Sequence, residues 1–303
     1  MRKTLLATLA AAAVGVALFA TPAIGSDGYG DRDSRGERSR NRECSSSPGG
    51  NSYGRDLNVV GLSASQRLIC FEAERPEKAK RIGAVSGLVT DTMLVGIDFR
   101  PASGALYGLG NAGGVYTLNT GNAEATLRSR LNVALSGASF GVDFNPTVDR
   151  LRIVSDTGQN LRANVDDGTT TVDAPLNYVG PPPVNPAPGV TGAAYTNNDA
   201  DPNTATTLFD VDAMLDQVAI QAPPNAGTLN ATGKLGVGTD AAVGFDIYST
   251  IRNGTTVDTR GLASLTTSNS SGLYDVNLLT GKANFVGSFE TPVIGVAIPL
   301  NQR

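Results

Sequence analysis

The 303-residue sequence contains no histidine and no tryptophan, and it has only two cysteines. Without histidine the chain cannot build a Ser-His-Asp or Cys-His nucleophilic site, nor a histidine-based zinc, copper or non-haem iron site. Two cysteines are too few for a structural zinc site. Aromatic residues make up only 6% of the chain. This disfavours a sugar-binding surface built from stacked aromatic rings, although tyrosines are available for one.

Positive charge is also in short supply. The chain has 24 Lys and Arg residues against 28 Asp and Glu residues. Removing residues 1–25 takes away Arg2 and Lys3 and no acid, which leaves 22 basic and 28 acidic residues and a net charge of −6. We therefore expect neither nucleic acid nor an anionic membrane as a partner.

The N-terminal segment predicts export. Arg2 and Lys3 precede an apolar run over residues 5–19, which is shorter than the roughly 20 residues of a membrane span. The small residues that end at Gly25 are typical of a signal-peptide cleavage site. We therefore predict a signal peptide over 1–25, with an uncleaved anchor as the alternative. The mature protein is then secreted, extracellular or associated with the cell envelope, without membrane insertion. Residues 26–56 are polar and predict a disordered tail.

The two cysteines are Cys44, in this tail, and Cys70. In an exported chain they predict a disulfide that ties the tail to the first strands. The alternative is a buried Cys70 and a free thiol at Cys44.

Residues 57–303 show an internal repeat of short strands. Short β-branched and aromatic runs alternate with Gly, Pro, Asn and Asp, a pattern typical of many short strands. A glycine followed two residues later by aspartate or alanine recurs at intervals of 45, 51, 52 and 51 residues. This period matches one four-stranded blade of a β-propeller. The repeated glycines are Gly96, Gly141, Gly192, Gly244 and Gly295.

The two ends of this region complement each other. The last copy, over 293–299, is a first strand with no partners after it, whereas strand-like runs at 58–62, 67–71 and 79–85 have no first strand before them. Joining them predicts an all-β β-propeller over 57–303, which we expect to be a monomer. It has five four-stranded blades, closed by pairing the C-terminal strand with the N-terminal blade. Six blades or an open sheet are the alternatives. The proline-rich segment 175–189 predicts an extended connection between blades three and four.

Several phrases in this region are distinctive. They are GVDFNP at 141–146, DRLRIV at 149–154, GQNLR at 158–162 and YTNND at 195–199. They resemble a bacterial family of secreted proteins known as domain of unknown function 4394, and the resemblance covers nearly all of residues 57–300. It implies a propeller-like repeat fold, but it brings no known activity and no catalytic residues.

Carboxylates are the remaining candidates for chemistry. Asp98, Asp143 and Asp246 occupy the same position in three of the five repeated first strands, where Ala194 and Ala297 stand in the other two. First strands line the channel of a propeller and equivalent positions share one orientation, so we expect these acids to converge near the axis. There they could bind a cation, or act as the paired acids of a glycosidase. Alternatively, each bonds to backbone at a blade junction.

A second group of oxygen ligands lies in one short segment, at Asn197, Asp199, Asp201 and Asn203. Oxygen ligands spaced this closely suit calcium, which takes six to eight of them. The segment lacks the glycine and the distal glutamate of an EF-hand loop, and turn formation by Asn and Asp explains it equally.

Two arginines in the third repeat are candidates for an anionic ligand. Arg150 and Arg152 are two residues apart in a predicted strand, so their side chains share one face. They could clamp an anion, whereas cross-strand ion pairing is the alternative.

The sequence therefore predicts a non-enzymatic extracellular module that binds a polymer, a protein or a small ligand. It requires no cofactor, and calcium is the only candidate. The alternative is a carboxylate-dependent hydrolase of glycosidase or lactonase type that uses Asp98, Asp143 and Asp246, with or without calcium. A structural envelope protein tethered by its tail is a third hypothesis.

Overall fold

The computed structural model describes residues 57–199, 201, 203–268 and 270–302. Its strands form five sheets arranged in a ring, a five-bladed β-propeller. The described residues contain no α-helix, only the 3-10 turns Pro76–Lys78 and Pro224–Ala226. The predicted fold class is therefore confirmed. The predicted signal peptide, tail and Cys44 lie outside the described residues.

The blades follow one another along the chain. Blade one contains β1 (Asn58–Ser63), β2 (Arg67–Glu72) and β3 (Lys80–Ala84), and blade two contains β4 (Leu94–Phe99), β5 (Leu106–Gly110), β6 (Gly114–Leu118) and β7 (Ala125–Arg130). Blade three contains β8 (Phe140–Asn145), β9 (Arg150–Ser155), β10 (Asn160–Ala163) and β11 (Thr170–Val172). Blade four contains β12 (Asn177–Tyr178), β13 (Val190–Tyr195), β14 (Leu208–Asp212), β15 (Gln217–Gln221) and β16 (Thr228–Lys234). Blade five contains β17 (Gly244–Arg252), β18 (Thr255–Thr266), β19 (Ser271–Val276) and β20 (Ala283–Ser288), and β21 (Val293–Ala297) follows it.

The ring closes between the two ends of the folded region. β21 pairs antiparallel with β1, with Ala297 opposite Val60, and it thereby becomes the inner strand of blade one. The predicted closure is confirmed. It matters energetically because an unclosed ring would leave a row of unpaired backbone N–H and C=O groups on β1.

Blade four differs from the predicted four strands. The short strand β12 pairs in parallel with β16, at the outer edge of the sheet, and makes this a five-stranded blade. β12 comes from the proline-rich segment that was predicted to be an extended connection. Tyr178 in this strand also forms a β-bridge with Val184, so the connection folds back on itself.

The hydrophobic core lies between neighbouring blades. Because both faces of each sheet pack against another sheet, buried residues form one cluster at each interface. Aromatic pairs contribute edge-to-face contacts, such as Phe71 with Phe289 at 5.1 Å and Tyr107 with Phe144 at 5.3 Å between ring centroids. The inner strands β4, β8, β13, β17 and β21 surround the axis.

Candidate functional site

The repeated glycines lie where the inner strands approach one another most closely. A Cβ atom on Gly141 would lie 2.6 Å from the backbone nitrogen of Ala193 in the next blade, and one on Gly244 would lie 2.7 Å from the carbonyl carbon of Gly295. Carbon atoms do not approach backbone atoms this closely, so a side chain here would push the strands apart. At these two positions glycine is therefore a packing requirement of the closed ring.

The three repeated aspartates meet two residues further along the inner strands. Oxygen atoms of Asp98, Asp143 and Asp246 all lie within 4.8 Å of one another. The residues are 7%, 4% and 5% exposed, respectively. We call these three residues the Asp ring. The sequence predicted that they would converge, and the structure brings them together.

The Asp ring accepts hydrogen bonds from five backbone N–H groups, one from each inner strand or from the residue that follows it. These are Phe99 (2.6 Å) and Phe144 (2.8 Å) bonded to Asp98, Tyr195 (3.2 Å) to Asp143, and Ile247 and Ile298 (both 2.6 Å) to Asp246. Each aspartate reaches the N–H of the following blade. Blades one and four carry Ala297 and Ala194 at this position, so Asp98 and Asp246 each also accept from the residue that follows them.

Burial makes ionisation of these carboxyl groups costly. Burial, and then the charge of Asp246, raises the pKa of Asp98 well above its ordinary value. Burial and the charges of Asp98 and Asp246 do the same to the pKa of Asp143. Burial raises the pKa of Asp246 to about 7, against the backbone N–H bonds that lower it. Like charges this close, with little water, favour the neutral acids unless a cation offsets them.

This arrangement could hold a metal ion, because three carboxylates offer oxygen ligands within one small volume. It also matches the alternative that the sequence left open, in which each aspartate bonds to backbone at a blade junction. The arrangement is less suited to general acid-base work on a polymer. A catalytic acid must reach the proton that it transfers, and these side chains are more than nine-tenths buried.

The segment with the predicted calcium ligands forms a chain of side-chain turns. Asp199 Oδ1 accepts a bond from the Asp201 backbone N–H at 3.1 Å, and Asp201 Oδ1 accepts one from the Asn203 N–H at 2.9 Å. The Asn197 side-chain amide donates to the carbonyl of Ala205. These bonds are those of turn formation. Calcium binding by this segment stays a prediction.

The structure places the two candidate arginines differently. Arg150 donates to the carbonyl oxygen of Asp149 at 2.8 Å and is partly exposed. Arg152 is 1% exposed, inside the interface between blades three and four. It forms an ion pair with Asp173 at 2.7 Å. Arg152 is thus bonded within the protein, as in the ion-pairing alternative, and does not present its guanidinium at the surface.

Cys70 lies in β2 and is 7% exposed. Its predicted partner Cys44 lies outside the described residues, so their disulfide stays a prediction.

Sequence reasoning did not single out two buried acids, Asp91 and Asp210. Asp91 accepts hydrogen bonds from the Tyr116 hydroxyl at 2.6 Å and from Arg130 at 3.0 Å, which pins the connection before β4 to blade two. Asp210 lies in β14 and is fully buried. Aligning the second strands of the repeats would have exposed Asp210 as the one charged residue at its position.

A known family matches most of the described residues. Residues 67–297 match the family described as "Domain of unknown function (DUF4394)". The chain belongs to this family. No curated protein matches the sequence.

Several solved structures are similar to this DUF4394 chain at low sequence identity. A chain of the nidogen/laminin complex is 10% identical, with a TM-score of 0.47, and the match covers 82% of this chain and 100% of that one. A protein of unknown function from Bacteroides thetaiotaomicron is 15% identical, with a TM-score of 0.45, over 86% and 66% of the two chains. TolB from Acinetobacter baumannii is 13% identical, with a TM-score of 0.39, over 82% and 68%.

Among the described residues, no helix has the length and apolar composition that crossing a membrane requires.

Proposed function

We propose that this protein is an exported, monomeric, non-enzymatic binding module of the cell exterior or envelope. It engages a polymer, a protein or a small ligand at the propeller face nearest the Asp ring. The observation that carries this proposal is the place of the ring in the inner strands. Asp98 is the last residue but one of β4, so the ring lies beside the face at which these strands end.

Two chain excursions rise from this same face. β17 continues past Asp246 to Arg252 and returns in β18, and Asn197, which follows β13, lies beside this hairpin. The Asn197 backbone N–H donates to Ser249 Oγ at 2.9 Å, so the two excursions support each other. Connections held by a rigid scaffold are where propellers and similar folds carry binding residues.

The Asp ring further supports a bound hard cation as part of this function. Calcium takes carboxylate oxygens, and Asp143 uses one oxygen for a backbone bond while Asp98 and Asp246 use both. Burial and mutual repulsion favour the neutral, protonated acids. A divalent ion would offset the repulsion and favour the ionised carboxylates. Asp143 is then the residue with most freedom to ligate.

A thermal-shift screen of the full chain tests the proposal. It would compare calcium, a chelator, envelope polysaccharides and small carboxylates, since a ligand that binds only the folded state stabilises it by about 2.7 kcal/mol at a hundredfold excess over its Kd. Asp143→Asn tests the ring, and Asp201→Asn is the matched control in the segment with the other calcium candidates. We expect calcium to raise the Tm of the wild type and of Asp201→Asn, but not of Asp143→Asn.

Two results would contradict parts of the proposal. A calcium shift lost in Asp201→Asn and kept in Asp143→Asn would move the ion to the 197–203 segment. Turnover of a polysaccharide or lactone that Asp143→Asn abolishes without unfolding would favour the hydrolase alternative.

A further inference from the structure

The repeat provides an internal control for one unusual interface. We call position 98 of blade two, and its equivalents 143, 194, 246 and 297, the ring position. It faces the next blade, as the bond from the Phe144 N–H to Asp98 shows. A residue directly opposite on the second strand shares that face, and the pair one residue earlier faces the preceding blade. At each interface, the residue opposite the ring position of one blade therefore meets the residue that, in the next blade, lies opposite the position before the ring position.

Four of the five interfaces pair apolar or small residues at these positions. The residues opposite the ring position are Val60, Tyr107, Arg152, Phe209 and Leu262. The residues opposite the position before it are Gly61, Gly108, Ile153, Asp210 and Ala263. Phe209 thus faces Ala263, and Leu262 faces Gly61. Between blades three and four, the corresponding residues are Arg152 and Asp210.

The guanidinium of Arg152 is almost completely bonded. Its Nη1 donates to Asn160 Oδ1 at 2.6 Å and to Asp173 Oδ2 at 2.7 Å, and its Nη2 donates to Asn225 Oδ1 at 2.9 Å. Its Nε donates to the Tyr195 hydroxyl at 3.3 Å. A guanidinium has five N–H groups, so one N–H on Nη2 has no acceptor among the described residues.

The carboxylate of Asp210, in contrast, has no hydrogen bonds among the described residues. It is 0% exposed, and neither of its carboxylate oxygens has a hydrogen-bond partner among the residues that the structure describes. Ala193 and Ala219 stand opposite it in the two flanking strands and offer only methyl groups. Burial raises the pKa of Asp210, and the charge of Arg152 opposes that rise.

The side chain of Gln221 also has an atom without a hydrogen-bond partner among the described residues. Its side-chain nitrogen donates to the Pro224 carbonyl at 2.6 Å and to Asn160 Oδ1 at 3.3 Å, which fixes the amide. Its Oε1 is buried and has no partner among the described residues. Gln221 lies two residues beyond the partner of Asp210 in β15, a diagonal neighbour on the same face.

Charge decides what kind of group would satisfy these atoms. Arg162 pairs with Asp173 at 2.7 Å, so this network contains two arginines, Arg152 and Arg162, and two aspartates, Asp173 and Asp210. The two arginines therefore already supply positive charge to Asp173 and beside Asp210. What Asp210 and Gln221 lack is hydrogen-bond donors, and a buried acceptor without a donor is costly. Buried water, which makes about three hydrogen bonds, fills this role in protein interiors.

We propose that the interface between blades three and four encloses ordered water that bridges the Asp210 carboxylate to Arg152 and Gln221. The water donates to Asp210 and to Gln221 Oε1, and it accepts from the remaining Nη2–H of Arg152. It turns a spaced Arg–Asp pair into a continuous polar network across the interface. The other four interfaces, which carry no charged residue at these positions, do not share this hydration site.

Magnetic relaxation dispersion of water nuclei, measured on the full chain, counts long-lived internal water. We expect Asp210→Leu to lose at least one such water relative to the wild type, because its apolar side chain fills the space of the carboxylate and accepts no hydrogen bond. Leu262→Ala is the matched control, since it truncates the large residue of the equivalent pair in another interface, and an apolar cavity stays dry. It should leave the count unchanged. An equal count in Asp210→Leu and the wild type overturns the proposal.

A crystal structure of the wild-type protein gives a reading that does not depend on a variant that folds. Ordered water within hydrogen-bond distance of Asp210 and of Arg152 Nη2 is the expected result. A direct Arg152–Asp210 bond, a dry interface or a metal ion bound to Asp210 would each overturn the proposal. Asp210→Asn, whose amide both accepts and donates, should keep the water count of the wild type.

Discussion

Replacing Asp143 by asparagine should stabilise the protein at neutral and alkaline pH and leave it unchanged below about pH 4. Asp143 accepts one backbone N–H, from Tyr195, and an asparagine oxygen can accept the same bond. Asp98 and Asp246 each accept two. Asp143 is therefore the member of the Asp ring whose charge can be removed with the least loss of hydrogen bonding.

The magnitude follows from the spacing of the ring. Two unit charges 4.8 Å apart repel by about 3.5 kcal/mol at an effective dielectric constant of about 20. Three such pairs amount to about 10 kcal/mol, which is comparable with the whole stability of a domain. Asp143→Asn removes two of the three pairs, so we expect a gain of a few kcal/mol when all carboxyl groups would otherwise be ionised.

The direction with pH follows from the raised pKa values. A carboxyl group whose pKa is higher in the folded than in the unfolded state contributes stability below the unfolded pKa, and that contribution is lost as the pH rises through the folded pKa. The unfolded value is about 3.9, and the folded pKa of Asp246 is about 7. In the absence of calcium, the wild type should therefore lose stability as the pH rises from about 4 through about 7, and Asp143→Asn should lose less.

Urea unfolding of the full chain in the presence of a chelator, at several pH values, measures this effect. Asp98→Asn is the matched comparison, because its single acceptor oxygen leaves the N–H of Phe99 or Phe144 unpaired, at a cost of about 1–3 kcal/mol at every pH. Buried Asp210 also has a raised pKa, so the wild-type slope alone does not identify the ring. Equal pH slopes for the wild type and Asp143→Asn would refute the reasoning.

Three further substitutions or deletions test the fold. Gly141→Ala places a methyl group 2.6 Å from a backbone nitrogen of the next blade and should cost about 1–3 kcal/mol in urea unfolding, whereas Gly180→Ala, with nothing within 4 Å, should be neutral; equal costs would contradict the close approach. Tyr116→Phe removes the 2.6 Å bond to buried Asp91 and should lower the free energy of unfolding by about 1–3 kcal/mol, and a neutral variant would show that the remaining donors, Arg130 and the backbone N–H groups of Ala112 and Gly114, satisfy this acid. Deleting residues 293–303 removes the inner strand of blade one and should abolish cooperative thermal unfolding followed by circular dichroism; an unchanged transition would mean that closure contributes little.

The repeat made the architecture predictable. The glycines recur at 96, 141, 192, 244 and 295, and at Gly96, Gly141 and Gly244 a Cβ atom would lie less than 3.0 Å from the next inner strand. This constraint leaves a trace at regular spacing along the chain. Blade number, closure by the last strand and the convergence of the Asp ring all follow from that spacing and from the alternation of side chains along a strand.

Departures from the repeat were less predictable. The short strand β12 arises because the proline-rich segment pairs with the outer edge of blade four, and a run of prolines does not specify such a partner. Alternation alone predicted that Arg152 is as available to an anionic ligand as Arg150, since the two share a face. Its burial depends on blade four packing over that face, which brings Tyr195 and Asn225 to its guanidinium.

The sequence by itself determined the class of fold, the order of the blades and which aspartates share a position, because these depend on spacing along one chain. The tertiary structure alone decided what those aspartates do. Their oxygens lie within 4.8 Å of one another and hold N–H groups of neighbouring blades, and Asp210 lies where other blades carry Gly, Ala or Ile. Distances between residues about 50 positions apart are set when separate sheets pack, and no local pattern encodes them.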